Sequence, residues 1–307
     1  MTTLGGEMLT RAGTAAPAGF EVPSSPLSPP SARALRRTRI QAAPRWPTPN
    51  LREVWAARGL LLFLVWRDVK VRYAQTVLGA SWAVLQPVAT MVVFTVIFGR
   101  FARIPSGGVP YAVFSLTALV AWSYFAGALS GASNSLLSNL GLVTKVYCPR
   151  LVIPLSAVFA GLLDFVIAFS ILLVAIAGAG IVPSPWAILV VPVSLLAVMM
   201  TAAGVGCFLA AINIQYRDVK QITPFLVQLW MYGSPIVYPL SLVPAKYRAL
   251  YAFNPMTGVV EGLRAAMLGT GPIPAALMVA SLAVSAVLLA CGTLYFRHVE
   301  RVFADVA

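Results

Sequence analysis

The stretch Leu64–Pro87, L-V-W-R-D-V-K-V-R-Y-A-Q-T-V-L-G-A-S-W-A-V-L-Q-P, sets a charge-dense run directly against an apolar one. Arg67, Asp68, Lys70 and Arg72 crowd together, Tyr73 follows, and from Ser81 onward the chain turns apolar. This is the pattern of a segment that lies on a membrane surface and then turns into the bilayer. Lys70 and Arg72 suit anionic lipid headgroups. Trp66, Tyr73 and Trp82 are amphipathic aromatics of the kind that settle at the interface.

Composition points the same way. Of 307 residues, 59% are hydrophobic and 10% charged, against about 25% charged in soluble domains. So little charge cannot cover a water-facing surface, and an integral membrane protein is the fitting class. The net charge of +13 does not indicate nucleic acid, because its distribution follows topology. On the assignment below, 17 of the 22 Lys and Arg residues fall on the cytoplasmic side, as the positive-inside rule requires. Cys148, Cys207 and Cys291 have no metal spacing and read as small buried hydrophobes. Residues 1–50 hold no apolar core of signal-peptide length, so the first span is expected to direct insertion.

Residues 1–50, rich in Ala, Pro, Ser and Arg, are expected to form a disordered basic cytoplasmic tail. Residues 51–73 fit an amphipathic helix in the interface plane, with apolar residues interrupted by Arg52, Glu53, Arg58 and Arg67. Residues 74–307 form the transmembrane domain. Six spans are expected, at 81–99, 111–135, 151–177, 186–212, 224–240 and 275–296, with both termini cytoplasmic. Pro87 is expected to bend the first, and Gly204 and Gly206 to allow close packing of the fourth. The fifth is short and broken by Gly233, Pro235 and Pro239. Residues 241–274 mix Lys246, Arg248, Glu261 and Arg264 with prolines and glycines, which suits re-entrant helices covered by protein. Glu261 and Arg264, at i and i+3, can neutralise each other there.

Catalytic chemistry is hard to find. There is no G-x-x-x-x-G-K-[ST], no carboxylate pair and no Cys/His cluster, and His298 has no partner nearby in sequence. Asp164 is a lone carboxylate in the third expected span, a candidate for proton coupling by default. Carriers driven by protons usually hold several such groups, so a structural or pore-facing role ranks ahead of it. Trp82, Trp122, Tyr124, Phe125, Trp230, Tyr232 and Tyr238 offer flat faces and hydroxyls suited to sugar rings, though helix packing explains such residues equally well.

Seven segments, in this order, carry a family resemblance: R-D-V-K-V-R-Y-A-Q-T-V-L-G-A-S-W at 67–82, K-V-Y-C-P-R at 145–150, Y-R-D-V at 216–219, G-S-P-I-V-Y at 233–238, N-P-M at 254–256, E-G-L-R at 261–264 and F-A-D-V at 303–306. From residue 51 to the end, the chain resembles the permease subunits of ABC-2-type exporters of lipid-linked polysaccharide, the group that exports O-antigen, capsule or teichoic acid. Cys148 stands where phenylalanine is commoner.

The resemblance implies an all-α polytopic fold of the ABC-2 (type V) exporter kind in the bacterial inner membrane. It implies a homodimer of permeases bound to two copies of a cytoplasmic ABC ATPase, which holds the ATP and Mg²⁺; this chain carries no cofactor. Residues 51–73 become an interface helix or gate that includes Arg67, Asp68, Lys70, Arg72 and Tyr73. Lys145, Val146, Tyr147, Cys148, Pro149 and Arg150 become the loop that couples to the ATPase, and the helices at 241–274 cap the outer side. Three other readings stay open: an ABC-2 permease for a drug or small lipid, an ion-coupled carrier using Asp164, and a membrane-embedded enzyme acting on lipid-linked sugars.

Overall fold

A computed structural model describes residues 51–74, 81–145, 148–216 and 218–300. The basic tail at 1–50 and the F-A-D-V segment therefore lie outside the described residues. The helices follow in order as α1 (Leu51–Ala56), α2 (Arg58–Ala74), α3 (Ser81–Phe94), α4 (Tyr111–Ser138), α5 (Leu140–Lys145), α6 (Val152–Ala160), α7 (Leu162–Gly178), α8 (Ala187–Gln215), α9 (Val219–Tyr232), α10 (Ala245–Ala252), α11 (Pro255–Leu268) and α12 (Ala275–Glu300). The end of α3 loosens into a π-helical stretch, Thr95–Phe101.

Among the described residues, five stretches are long and apolar enough to cross a bilayer: Val84–Phe101, Tyr111–Ser138, Val152–Gly178, Ala187–Gln215 and Ala275–Glu300. The protein is thus a multi-pass membrane protein of all-α construction. The fifth expected span differs. Helix α9 has 14 residues, about 21 Å at 1.5 Å per residue, and falls short of a hydrocarbon core about 30 Å thick.

Helix α4 is the hub. Apolar or small nearly all round, it is the most deeply buried of the spanning helices, and α8, α6, α7 and α11 surround it. Small residues bring α8 close. A Cβ on Gly206 would sit 2.5 Å from the Ala132 methyl of α4, and Gly204 and Gly292 lock α8 onto α12 backbone to backbone. With lipid all around, such close approach is what drives helices together. At one end of the bundle a second cluster gathers Leu64 of α2, Leu136 of α4, Val152 and Ile153 of α6, Cys207 of α8 and Phe296 of α12. It seats α2 against α6. The interface segment is therefore two helices meeting at Ala57, docked through Leu64, with Trp55, Phe63 and Trp66 left outward. Of the cysteines expected to be buried, Cys207 is; Cys291 faces outward on α12, and Cys148 is half-buried.

At the opposite end, α9 stops at Gly233 and the chain runs irregularly through the G-S-P-I-V-Y segment, yet Ser234 and Ile236 are fully buried. Backbone left unpaired in such a place costs several kcal/mol per group in lipid, and here side chains pair it. Asn254 donates to Gly233 O at 3.0 Å, and Tyr111 to Val237 O at 2.7 Å. Arg264 donates to Pro235 O (2.7 Å), Ile236 O (2.6 Å) and Tyr238 O (3.3 Å). The Arg264 guanidinium is buried under the Phe114 ring, 3.7 Å from its centroid. Glu261 sits 3.2 Å from it and also accepts from Leu240 N. Asn254 caps α11 by accepting from Met256 N. Tyr111 and Phe114 of α4, with the N-P-M and E-G-L-R segments, thus form one device that holds a broken helix.

Candidate functional site

The side of the bundle carrying α3 and α9 contains a cavity of about 690 Å³, open to the surface. Helices α3, α4, α7 and α9 and the end of α2 line it. From α3 come Gln86, Pro87 and Thr90. From α4 come Leu119, Trp122, Ser123, Ala126, Gly127 and Ser130. Helix α7 supplies Asp164 and Ala168, α9 supplies Met231, and the end of α2 supplies Arg72 and Tyr73.

The helices dictate this lining. Ser123, Ala126, Gly127, Ser130 and Asn134 recur at three- and four-residue intervals and make up the one face of α4 that its neighbours leave uncovered. That face is small and hydroxylated. Pro87 of α3 sits on the same rim; it removes one backbone donor from that helix. Trp122 borders the cavity and packs on Phe125, centroids 5.2 Å apart, which in turn meets Trp230 at 4.9 Å. The result is a mostly apolar wall with a few neutral hydrogen-bonding groups and the aromatics Trp122 and Tyr73, a mixture that small-molecule sites share.

One end of the cavity is ionic. Gly161 separates α6 from α7, and Asp164 stands in the first turn of α7, where a negative charge suits the helix dipole. Its two oxygens take separate donors: Oδ2 pairs with the Arg72 guanidinium and Oδ1 accepts from the Tyr73 hydroxyl. The lone carboxylate of the third expected span is therefore half of an ion pair to α2. Burial, reinforced by the hydrogen bond to Asp164, pushes the Tyr73 hydroxyl up to about 12, so it stays protonated and donating. Arg72 and Asp164 remain about a third exposed, so their pairing is weak in net terms, about 0–1 kcal/mol. One turn back, Asp68 joins Arg67 at 2.7 Å and accepts from Ser156 of α6 at 3.2 Å. Lys70 points into solvent.

The expected aromatic lining divides. Trp122 borders the cavity and Tyr232 is exposed at the end of α9. Tyr124 and Phe125 are buried, and Tyr124 donates to Val158 O, so neighbours within the subunit occupy their faces. Trp230 donates to Asn254 Oδ1 at 2.9 Å, and the hydroxyls of Tyr238 and Tyr251 lie 2.7 Å apart. Trp82 belongs to α3, but its side chain lies outside the described residues. In the coupling segment, Val146 and Tyr147 lie outside the described residues and Lys145 ends α5. Arg150 donates to Glu300 O at 2.7 Å, joining that loop to the end of α12. Burial raises the pKa of the neighbouring Cys148 thiol. Sequence reading missed Gln86, Thr90, Ser123 and Ser130, which carry no charge and fall within ordinary apolar runs. The one available signal was the four-residue repeat of small polar residues on α4.

Residues 59–268 match the family described as ABC-2 type transporter. Among named proteins, the chain is 31% identical over 257 residues to an O-antigen export system permease protein of Myxococcus xanthus, covering 83% of this chain and 98% of that one. An O-antigen export system permease protein of Klebsiella pneumoniae is 27% identical over 205 residues, 67% of this chain and 78% of its own. A polysialic acid transport protein of Escherichia coli is 27% identical over 213 residues, 67% and 80% of the two chains.

Proposed function

Because the chain belongs to the ABC-2 type transporter family, we propose that it is the membrane subunit of an ATP-driven exporter of lipid-linked polysaccharide, powered by a separate ABC ATPase. The observation that carries this reading is the near end-to-end similarity to an O-antigen export permease, 98% of whose length is matched. The polysialic acid relative adds a second polymer of sugar. A drug or small-lipid permease has no comparable relative behind it. The ion-coupled alternative loses its main support, since Asp164 is already bound to Arg72 and Tyr73.

In this reading the chain is a transport subunit, and ATP and Mg²⁺ bind in the partner. Two permeases face each other through α3 and α9. Both helices are scarcely covered in the single subunit, with Val92, Val93, Ile97, Phe225 and Leu229 outward, and both border the same cavity. A second copy on that side encloses a passage walled by the hydroxylated face of α4. The termini and the loop at 145–150 are cytoplasmic in the bacterial inner membrane, and that loop docks on the ATPase. Its tie to α12 through Arg150 and Glu300 gives nucleotide-driven movement a route into the bundle.

The experiment is copurification and export. The full-length permease is expected to retain its ATPase on affinity purification and to support surface polysaccharide in a cell that supplies both. The double variant Tyr147→Ala/Arg150→Ala is expected to fold, to shed the ATPase or lose stimulation of its hydrolysis, and to stop export. Export by the permease with no ATPase present, or normal coupling in the double variant, overturns the reading.

A further inference from the structure

The ionic end of the cavity has a feature that packing does not require. Arg72 reaches from α2 into a mostly apolar cavity and, among the described residues, is paired there with Asp164. The pair is partly solvated on both sides, so little free energy opposes its separation. Asp164 has a second partner in Tyr73, so it is not stranded when the guanidinium leaves. The amide of Gln86 shares the cavity lining with Arg72, as do the hydroxyls of Tyr73 and Thr90, which already donate to Asp164 and to Gln86 O. A guanidinium with an amide donor on the same wall suits a phosphate, which an arginine bonds in bidentate fashion.

We propose that this end of the cavity binds the phosphate or diphosphate headgroup of a lipid, and that Asp164 is a built-in competitor which holds Arg72 until that anion displaces it. The proposal rests on the exporter reading, in which a lipid-linked cargo must present such a headgroup, and it specifies where the headgroup sits. It gives the carboxylate a definite consequence. With Asp164 present, a dianion must both break the ion pair and approach a like charge. Neutralising that residue removes both obstacles while Tyr73, Gln86 and Thr90 keep their places.

The test uses the full chain in phosphatidylcholine nanodiscs, with farnesyl diphosphate as the probe, titrated calorimetrically. Arg72→Gln is expected to weaken binding about tenfold or more, and Asp164→Asn to tighten it several-fold, the scale of one charge-assisted hydrogen bond. Thermal unfolding checks that each variant is folded. For a reading independent of folding, wild-type protein is treated with phenylglyoxal, and the modification of Arg72 is followed by mass spectrometry with and without the probe; protection is expected. A parallel arm replaces the probe with phosphatidylglycerol in the nanodisc. Protection by the diphosphate alone assigns the site to a diphosphate-linked cargo, and protection by both assigns it to phosphate headgroups generally. Equal weakening by both substitutions, or protection by neither lipid, overturns the proposal. Intact ATPase coupling and export alongside that failure leaves the exporter reading standing without this site.

Discussion

Arg264 shows what a single buried charge does in this fold. Its side chain is 1% exposed, yet it is paired with a carboxylate, three carbonyls and an aromatic face. Removing one member of such a set leaves the rest unpaired, at about 3–5 kcal/mol. Arg264→Met is therefore expected to unfold the α9–α11 region, read as a large loss of thermal stability in detergent, with Arg264→Lys intermediate because an ammonium lacks the planar fork. Gly206 makes a different kind of demand. Any side chain there collides with Ala132, so Gly206→Val is expected to force α8 from α4 at about 1–3 kcal/mol, measured by the same melt. Both positions were legible in the sequence only as types. The i, i+3 spacing gave the Glu261–Arg264 pair, whereas the carbonyls that Arg264 serves lie 26 to 29 residues away, beyond any local pattern.

At the level of the element, α2 is held to the bundle by few buried side chains. One buried leucine, one Asp68–Ser156 hydrogen bond and the Arg72–Asp164 pair hold its length against the bundle. Leu64→Ala removes the buried anchor, worth about 2–5 kcal/mol in a packed core. The expected result is faster hydrogen exchange across α2 with little change along α4 and α8. Four of the spanning helices were readable from apolar length alone, because lipid permits few solutions other than a helix. The third expected span runs through Val152–Gly178 with one irregular residue, Gly161, whereas the fifth stops early at Gly233. The end at Gly233 was signalled by Gly233, Pro235 and Pro239, whereas Gly161 carried no signal, since glycine in a membrane helix more often marks close packing. The ionic end of the cavity was hidden because Arg72 and Asp164 are 92 residues apart.

For the whole molecule, the question is which apolar surfaces meet protein and which meet lipid. Val92 on α3, Phe225 on α9 and Val287 on α12 are all exposed in the single subunit. Only the first two flank the cavity side. Cysteines at Val92 and Phe225, in a background lacking Cys148, Cys207 and Cys291, are expected to crosslink two copies, and a cysteine at Val287 is not. SDS gels of oxidised membranes give the answer directly. Energy coupling separates the alternatives at the same scale. Transport into inverted vesicles is expected to need ATP and to persist when an uncoupler collapses the proton gradient; loss with the uncoupler alone supports an ion-coupled carrier.

The broken end of α9 also bears on how the chain is made. Its carbonyls at Pro235, Ile236 and Tyr238 depend on Arg264, which leaves the ribosome later than they do. Until then the nascent fifth helix has no stable seat in the bilayer. Chains truncated between α10 and α11 are thus expected to be substrates for membrane proteases, and chains ending just past α11 to survive, as a pulse-chase would reveal.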